Sequence, residues 1–254
     1  MKSRSLFSQA ACAVLVALCL IGMSATPLHA GDSKPEKPIV LIFSKTNGFR
    51  HSSIPVGIAA IKKLGQANGF EVEATEDSTA FRYENLKKYA ALIFLCPTGT
   101  VFGPEEEKGL QEYIRHGGGF VGIHAATDCE YNWQWYGDLV GAYFKSHPSQ
   151  QKAKFTVVNK NHPSTRDLPE TFKRFDELYN FKYINPQITV LITIDEQSYK
   201  GGENGENHPM AWFHEYEGGR AFYTEMGHTD ESYKESLYLK HLLGGILWAI
   251  GAAK

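Results

Sequence analysis

Cysteine is scarce in this chain, four among 254 residues, which is too few for a disulfide scaffold. Neither sign of charge dominates: 26 Lys plus Arg face 28 Asp plus Glu, for a formal charge of −2. With no basic run either, nucleic acid and an anionic membrane surface are poor partners. No Cys-x-x-Cys or His-Glu-x-x-His spacing occurs, so a metal site has no local signature. No Gly-x-Ser-x-Gly marks a serine hydrolase. Internal repeats, low-complexity tracts and interior linkers are also missing. What is present is 43% hydrophobic, 13% aromatic and 21% charged, the composition of a folded globular chain, and one domain is the economical reading.

Lys2 and Arg4 precede an uncharged apolar run from Ala10 to Met23, followed by small and polar residues up to Ala30. That is the pattern of a secretory signal, and the run is shorter than the ~20 residues that span a bilayer. The expected organisation is a signal at 1–30, a short tether at 31–37 and one domain over 38–254. It carries with it a periplasmic or extracellular location, with no integral membrane segment after cleavage. An uncleaved anchor is the alternative. Cleavage leaves Cys96 and Cys129, which an oxidising compartment permits to pair.

Pro38 to Ser44 and Ala90 to Cys96 are continuous apolar runs of strand length, as expected of strands buried on both faces. Between them, Ser53 can cap a helix with Pro55 in its first turn and Ile54, Ile58, Ile61 and Leu64 at helical spacing. Gly69 ends it, and Phe70 to Ala74 alternates like an edge strand. Pro104 followed by three acids starts another helix, where the dipole favours them. Gly117-Gly118-Gly119 ends that helix before the short strand Phe120 to Ile123. This alternation predicts a parallel sheet covered on both faces. In the second half, strands are expected at Phe155 to Val158, Ile188 to Ile194, Ala211 to Tyr216 and Arg220 to Glu225. Gly218-Gly219 is the turn between the last two. A closing helix runs from about Ser236 to Ile250, with Leu239, Leu242, Leu243, Ile246 and Leu247 inward.

Ligands of such sheets bind beyond the carboxyl ends of the strands, where two segments fall. One is Ser44 to Ser53, containing Asn47, Arg50 and His51. The other is Gly119 to Asp128, in which a strand runs into His124-Ala125-Ala126. Small neighbours there resemble the sharp elbow of nucleophile-bearing α/β enzymes, with His124 in place of the reactive Ser or Cys. His51, His124, His147, His162, His208 and His228 all fall in loops or at strand ends; His116, His214 and His241 lie in or beside regular elements and suit packing. Any single histidine can be a satisfied packing residue, but strand ends bring His51, His124 and His228 toward one place. Histidine is the usual acid or base near neutral pH and a common metal ligand. Glu177 and Tyr179 face the same way if Asp176 to Tyr179 is extended. Trp133 and Trp212 offer flat rings on which a sugar face can pack, core packing being the other reading.

Together these segments resemble the ThuA-like (trehalose utilisation) family. The resemblance rests on Lys45 to Ile54, Gly118 to His124, His162-Pro163, Asp176 to Tyr179, Pro209 to Trp212 and Gly219 to Tyr223 running to Gly227-His228. It implies a flavodoxin-like, class I glutamine amidotransferase-like α/β fold, a mostly parallel sheet with helices on both faces. It also implies a role on sugars or on glycosides oxidised at a ring hydroxyl. Glutamine hydrolysis is not expected, because the elbow holds His124 and Cys129 lies five residues on.

The expected function is a carbohydrate-handling hydrolase, lyase or isomerase using His124 and Glu177 for proton transfer. His51, His228 and Arg50 would orient substrate or stabilise charge. Asn47, Asp128, Trp133, Tyr179, His208 and Trp212 would complete the substrate site. No cofactor is required by this reading, although distant histidines can assemble a divalent metal site. A sugar-binding module without chemistry and a metal-dependent hydrolase using the same histidines remain open. The expected partner is a small-molecule sugar or glycoside.

Overall fold

The computed structural model describes residues 37–253; the expected signal at 1–30, and all of the expected tether except Lys37, lie outside them. Among the described residues eleven strands form: β1 (Ile39–Phe43), β2 (Glu71–Thr75), β3 (Ala91–Leu95), β4 (Gly119–Ile123), β5 (Ala142–Ser146) and β6 (Gln151–Val157), then β7 (Thr171–Asp176), β8 (Asn180–Ile184), β9 (Thr189–Ile194), β10 (Pro209–Tyr216) and β11 (Gly219–Thr224). The helices are α1 (Ile54–Asn68), α2 (Tyr83–Leu86), α3 (Pro104–Arg115), α4 (Gln134–Val140) and α5 (Ser236–Ala249).

Nine strands make one sheet in the order β2-β1-β3-β4-β11-β10-β9-β6-β7. From β2 to β11 every neighbour is parallel, and from β11 to β7 every neighbour is antiparallel. β9 and β7 therefore run with the first five strands, and seven of nine point one way. β5 and β8 pair separately as a small antiparallel ribbon.

The apolar runs are continuous because alternate side chains enter two cores. Val40 and Ile42 of β1 and Ile93 of β3 pack on the face covered by Ile54 and Ile61 of α1 and by Leu242 and Ile246 of α5. Leu41, Phe43, Leu92, Phe94 and Phe120 pack on the other face, against Leu86, Leu110, Ile114, Tyr136 and Leu139 of α2, α3 and α4. Among the described residues no helix is long and apolar enough to cross a membrane.

Several local expectations need correction. Ser53 does not cap α1 with its side chain; its hydroxyl donates to the Gly227 carbonyl at 3.3 Å. The β10–β11 turn is Glu217-Gly218, with Tyr216 paired to Gly219, because those two residues take the positive φ values of 46° and 96° that a tight hairpin requires. The inner face of α5 is Tyr238, His241, Leu242, Gly245, Ile246 and Ala249. A Cβ on Gly245 would meet the Phe222 ring at 2.2 Å, so this glycine lets the helix lie directly on β11.

A flat sheet would hold β7 roughly 19 Å from β11, four strand spacings away. Yet Asp176, the last residue of β7, accepts a hydrogen bond from the Gly227 N–H at 3.1 Å. The antiparallel half therefore curls back until the carboxyl end of β7 reaches the carboxyl ends of β4 and β11. That curl builds the site.

Candidate functional site

β4 ends at Ile123, and His124 follows with a φ of 49°, a left-handed conformation that costs a side-chain-bearing residue energy. The expected elbow is present, but a single turn, His124–Thr127, takes the place of a following helix. His124 is fully buried, as are Ala125 and Ala126, so its ring is packed in place and does not look into an open cleft. Its Nδ1 lies 2.8 Å from the Glu225 carbonyl oxygen. A carbonyl only accepts, so Nδ1 carries the proton and Nε2 presents a lone pair. The Tyr179 ring packs against the imidazole at 4.3 Å.

His124 Nε2 is 3.1 Å from His228 Nδ1 and 3.4 Å from Glu177 Oε2. His228 Nδ1 is 3.1 Å from the same Glu177 oxygen. His51 stands edge-on to both histidines, with ring centroids at 4.8 Å and 5.1 Å. Its Nδ1 is buried without a hydrogen-bond partner. One donor atom from each of His51, His124, Glu177 and His228 lies within 4.8 Å of every other, a group that could hold a metal ion.

Two polar ties hold this geometry. Ser53 joins the start of α1 to the Gly227 carbonyl, beside His228. Asp176 accepts from the N–H groups of Glu177 and Gly227, both at 3.1 Å, and is itself paired with buried Arg174 at 3.2 Å. One carboxylate thus fixes the backbone next to two of the four donors.

Burial pushes the Glu177 carboxyl upward, but the adjoining His124 and His228 side chains outweigh that and hold it well below the usual carboxylate range. Burial, reinforced by the neighbouring His124 and His228, drives His51 down to about 3, so it is neutral at physiological pH. Glu225 is fully buried; burial first, and Asp176 second, push its carboxyl well above the normal range. Three imidazoles around one carboxylate suit a borderline divalent ion.

Of the residues expected in the site, His51, His124, Glu177 and His228 meet, and Tyr179 lines them. Asp128 is half-buried and accepts from the Tyr131 hydroxyl at 2.5 Å; burial raises its carboxyl, partly offset by that hydrogen bond and by His124. The others are placed elsewhere. Trp212 is fully buried in β10, stacked on Tyr223 at 4.3 Å and donating to the Val140 carbonyl, so no ligand reaches it. His208 is fully buried and bonded to Glu196 and the Tyr179 carbonyl, both at 2.8 Å. Trp133 stacks on Trp135 and Tyr136 and belongs to the aromatic layer under α4. Arg50 pairs with Glu76 at 2.7 Å, and the Asn47 amide donates to the Thr100 carbonyl; both brace loops. Cys96 and Cys129 are free and buried.

Three neighbours lie outside the expected set of site residues, although His147 is one of the loop histidines noted in the sequence. His147, on the exposed link after β5, places Nδ1 3.3 Å from the outer oxygen of Glu177. The Gln150 amide lies 2.8 Å from His228 Nε2. Glu225 supplies the carbonyl that orients His124, a backbone role that no side-chain motif reveals.

The fold and this cluster can be set against known proteins. The sequence profile described as ThuA, trehalose utilisation, matches residues 39–249. The chain belongs to the ThuA family. Its structure resembles a ThuA-like protein from Bacteroides uniformis, with 25% identity, a TM-score of 0.73, and coverage of 89% of this chain and 96% of that one. A ThuA-like protein from Parabacteroides merdae is similar at 22% identity and a TM-score of 0.70, covering 86% and 91%. A GMP synthase component from Thermoplasma acidophilum shares the fold at 10% identity and a TM-score of 0.51, covering 85% and 95%. Among curated proteins no significant match is found. ThuA membership ties the chain to carbohydrate utilisation. The relation to amidotransferases is one of fold: the elbow bears His124, and the buried Cys129 thiol is engaged with the Gly99 carbonyl.

Proposed function

We propose that this ThuA-family chain is an exported, metal-dependent enzyme that acts on a sugar or glycoside as a hydrolase, lyase or isomerase. One observation carries the reading. The His124, His228 and Glu177 donors are separated by 3.1, 3.4 and 3.1 Å, and a tetrahedral site with 2.0–2.1 Å bonds has edges of roughly 3.3 Å. Two further features support it. The His124 proton is committed to a backbone carbonyl, the outer-sphere arrangement typical of metal-ligating histidine. The buried Nδ1 of His51 has no protein partner, and a buried polar atom left so is costly unless a ligand satisfies it.

His51, His124, His228 and Glu177 would hold the ion. A divalent ion there supplies Lewis acidity toward a sugar oxygen and lowers the pKa of bound water. The protein's own groups do the rest. Glu177 offers its second oxygen to His147, which links the buried donors to a solvent-exposed imidazole. The Tyr179 ring closes one side of His124 and limits water there. Export is supported by the basic start and short apolar run of residues 2–23.

The test is elemental analysis of the mature protein purified without chelator, alongside turnover of trehalose and of oxidised glycosides. A stoichiometric transition metal, with turnover abolished by chelator and restored by the ion, is expected. Full turnover by metal-free protein would refute the reading.

A further inference from the structure

Phe49 is the most exposed large hydrophobic side chain among the described residues, at 66%. Fold geometry accounts for the comparable exposure of Phe175: in β7 the buried pair Arg174 and Asp176 occupies the inward positions, and strand alternation turns Phe175 out. Phe49 has no such excuse. It lies in an irregular loop between β1 and α1, where a chain is free to turn an apolar ring inward unless something holds it out.

Buried Thr98 holds it out. The Asn47 N–H donates to the Thr98 carbonyl at 2.8 Å. The Gly48 N–H donates to the Thr98 hydroxyl at 3.1 Å, and that hydroxyl donates onward to the Phe49 carbonyl at 2.9 Å. Thr46 and Thr98 also form a parallel bridge. Gly48 eases this closeness, since a Cβ there would sit in a tight contact 3.2 Å from the Thr98 hydroxyl. The ring so presented stands edge-to-face on His51, centroids 4.9 Å apart at 84°, which places it beside the cluster. Through Glu177 and His228, the cluster is also bordered by His147 and Gln150, which are polar and exposed.

We infer that Phe49 is the platform of a pyranose subsite beside the cluster, taking the apolar C–H face of the ring while its edge oxygens turn to the donors. This rests on the reading of the cluster as a carbohydrate-active centre. An aromatic ring on a pinned backbone loses little freedom when a flat ligand stacks on it, and a pyranose has one apolar face and a polar rim. Those are the two surfaces found here: a bare ring on the His51 side, an amide and an imidazole on the Glu177 and His228 side. The sequence pointed to Trp133 and Trp212 for this role; Trp212 is buried in the core, and the half-buried Trp133 is stacked on Trp135 and Tyr136.

The experiment compares wild type, Phe49→Ala and Phe49→Trp in the metal-loaded state. Trehalose and methyl β-D-glucopyranoside are the probes, read by calorimetric titration and saturation-transfer NMR, with metal content and melting temperature measured in parallel. In wild type, irradiation of aromatic protons should label the protons of one sugar face. Phe49→Ala should weaken binding at least about fivefold with metal content and melting unchanged, and Phe49→Trp should restore it. Equal binding by wild type and Phe49→Ala overturns the subsite, as does a metal-loaded wild type that binds neither probe; both leave the metal centre standing. Sugar labelled against Phe49 in a protein that takes up no metal supports the subsite and removes the metal reading instead.

Discussion

Replacing His124 by asparagine should separate folding from function. The structure sets three terms for the substitution. The hydrogen bond from Nδ1 to the Glu225 carbonyl, 2.8 Å long, is lost at about 1 kcal/mol. The smaller side chain leaves a gap at a fully buried position, costing about 1 kcal/mol more. Against these, His124 sits at φ 49°, where asparagine is among the best tolerated residues, and relief of that strain returns about 1 kcal/mol. The sum is a destabilisation of about 1 kcal/mol, or about 2–4 °C in melting temperature for a chain of this size. His124→Ala keeps the strain and leaves a larger gap, so it should cost about 2 kcal/mol more. Melting is followed by circular dichroism with chelator present, so that metal binding does not contribute by mass action. Metal affinity, from competition with a chromophoric chelator, should fall at least about 10²-fold in His124→Asn, and turnover should fall with it. A folded Asn variant that binds metal as tightly as wild type would refute the ligand assignment. An Asn variant less stable than the Ala variant would refute the strain argument.

Three further outcomes follow from buried groups. Burial, with His162 and Arg174 nearby, drives His241 down to about 3, so the folded state leaves it neutral while the unfolded chain protonates it below pH ~6.5; stability should fall with acid, by about 2 kcal/mol from this residue between pH 6.5 and 5. Urea unfolding of His241→Gln over that range should show a correspondingly flatter pH dependence, and an unchanged slope would contradict it. Burial pushes the Cys96 thiol up to about 12 and that of Cys129 well above its normal value, so both should resist an aromatic disulfide reagent in the folded protein and react at once in denaturant; rapid labelling of the native protein would count against their burial. Trp212→Phe removes the bond to Val140 and part of a buried ring, so it should destabilise by about 2 kcal/mol while metal affinity stays within twofold, and a large loss of metal binding would return Trp212 to the site.

The first half of the fold is readable because its strands are buried on both faces, so apolar runs mark them directly. β7 was not, and the reason is specific: Thr171-Phe172-Lys173-Arg174-Phe175-Asp176 buries Arg174 and Asp176 as a pair and exposes Phe175, inverting the alternation that betrays a half-buried strand. Missing β7 also hid the curl that carries Glu177 to His228. β5 and β8 escaped for a related reason, being a short ribbon outside the main sheet. In the site, histidines at strand ends were visible as chemistry. Glu225 was not, because it acts through its carbonyl, and neither was Phe49, whose exposure depends on a threonine 49 residues away. Trp212 misled because composition cannot tell a buried aromatic from a presented one.

The metal centre is tested most directly by X-ray diffraction from crystals of the zinc-loaded protein at energies on either side of the zinc absorption edge. A single anomalous peak is expected about 2.0–2.2 Å from donor atoms of His51, His124, His228 and Glu177, vanishing below the edge and absent from His124→Asn crystals. An empty cluster in zinc-loaded crystals, or a peak confined to other residues, would contradict it.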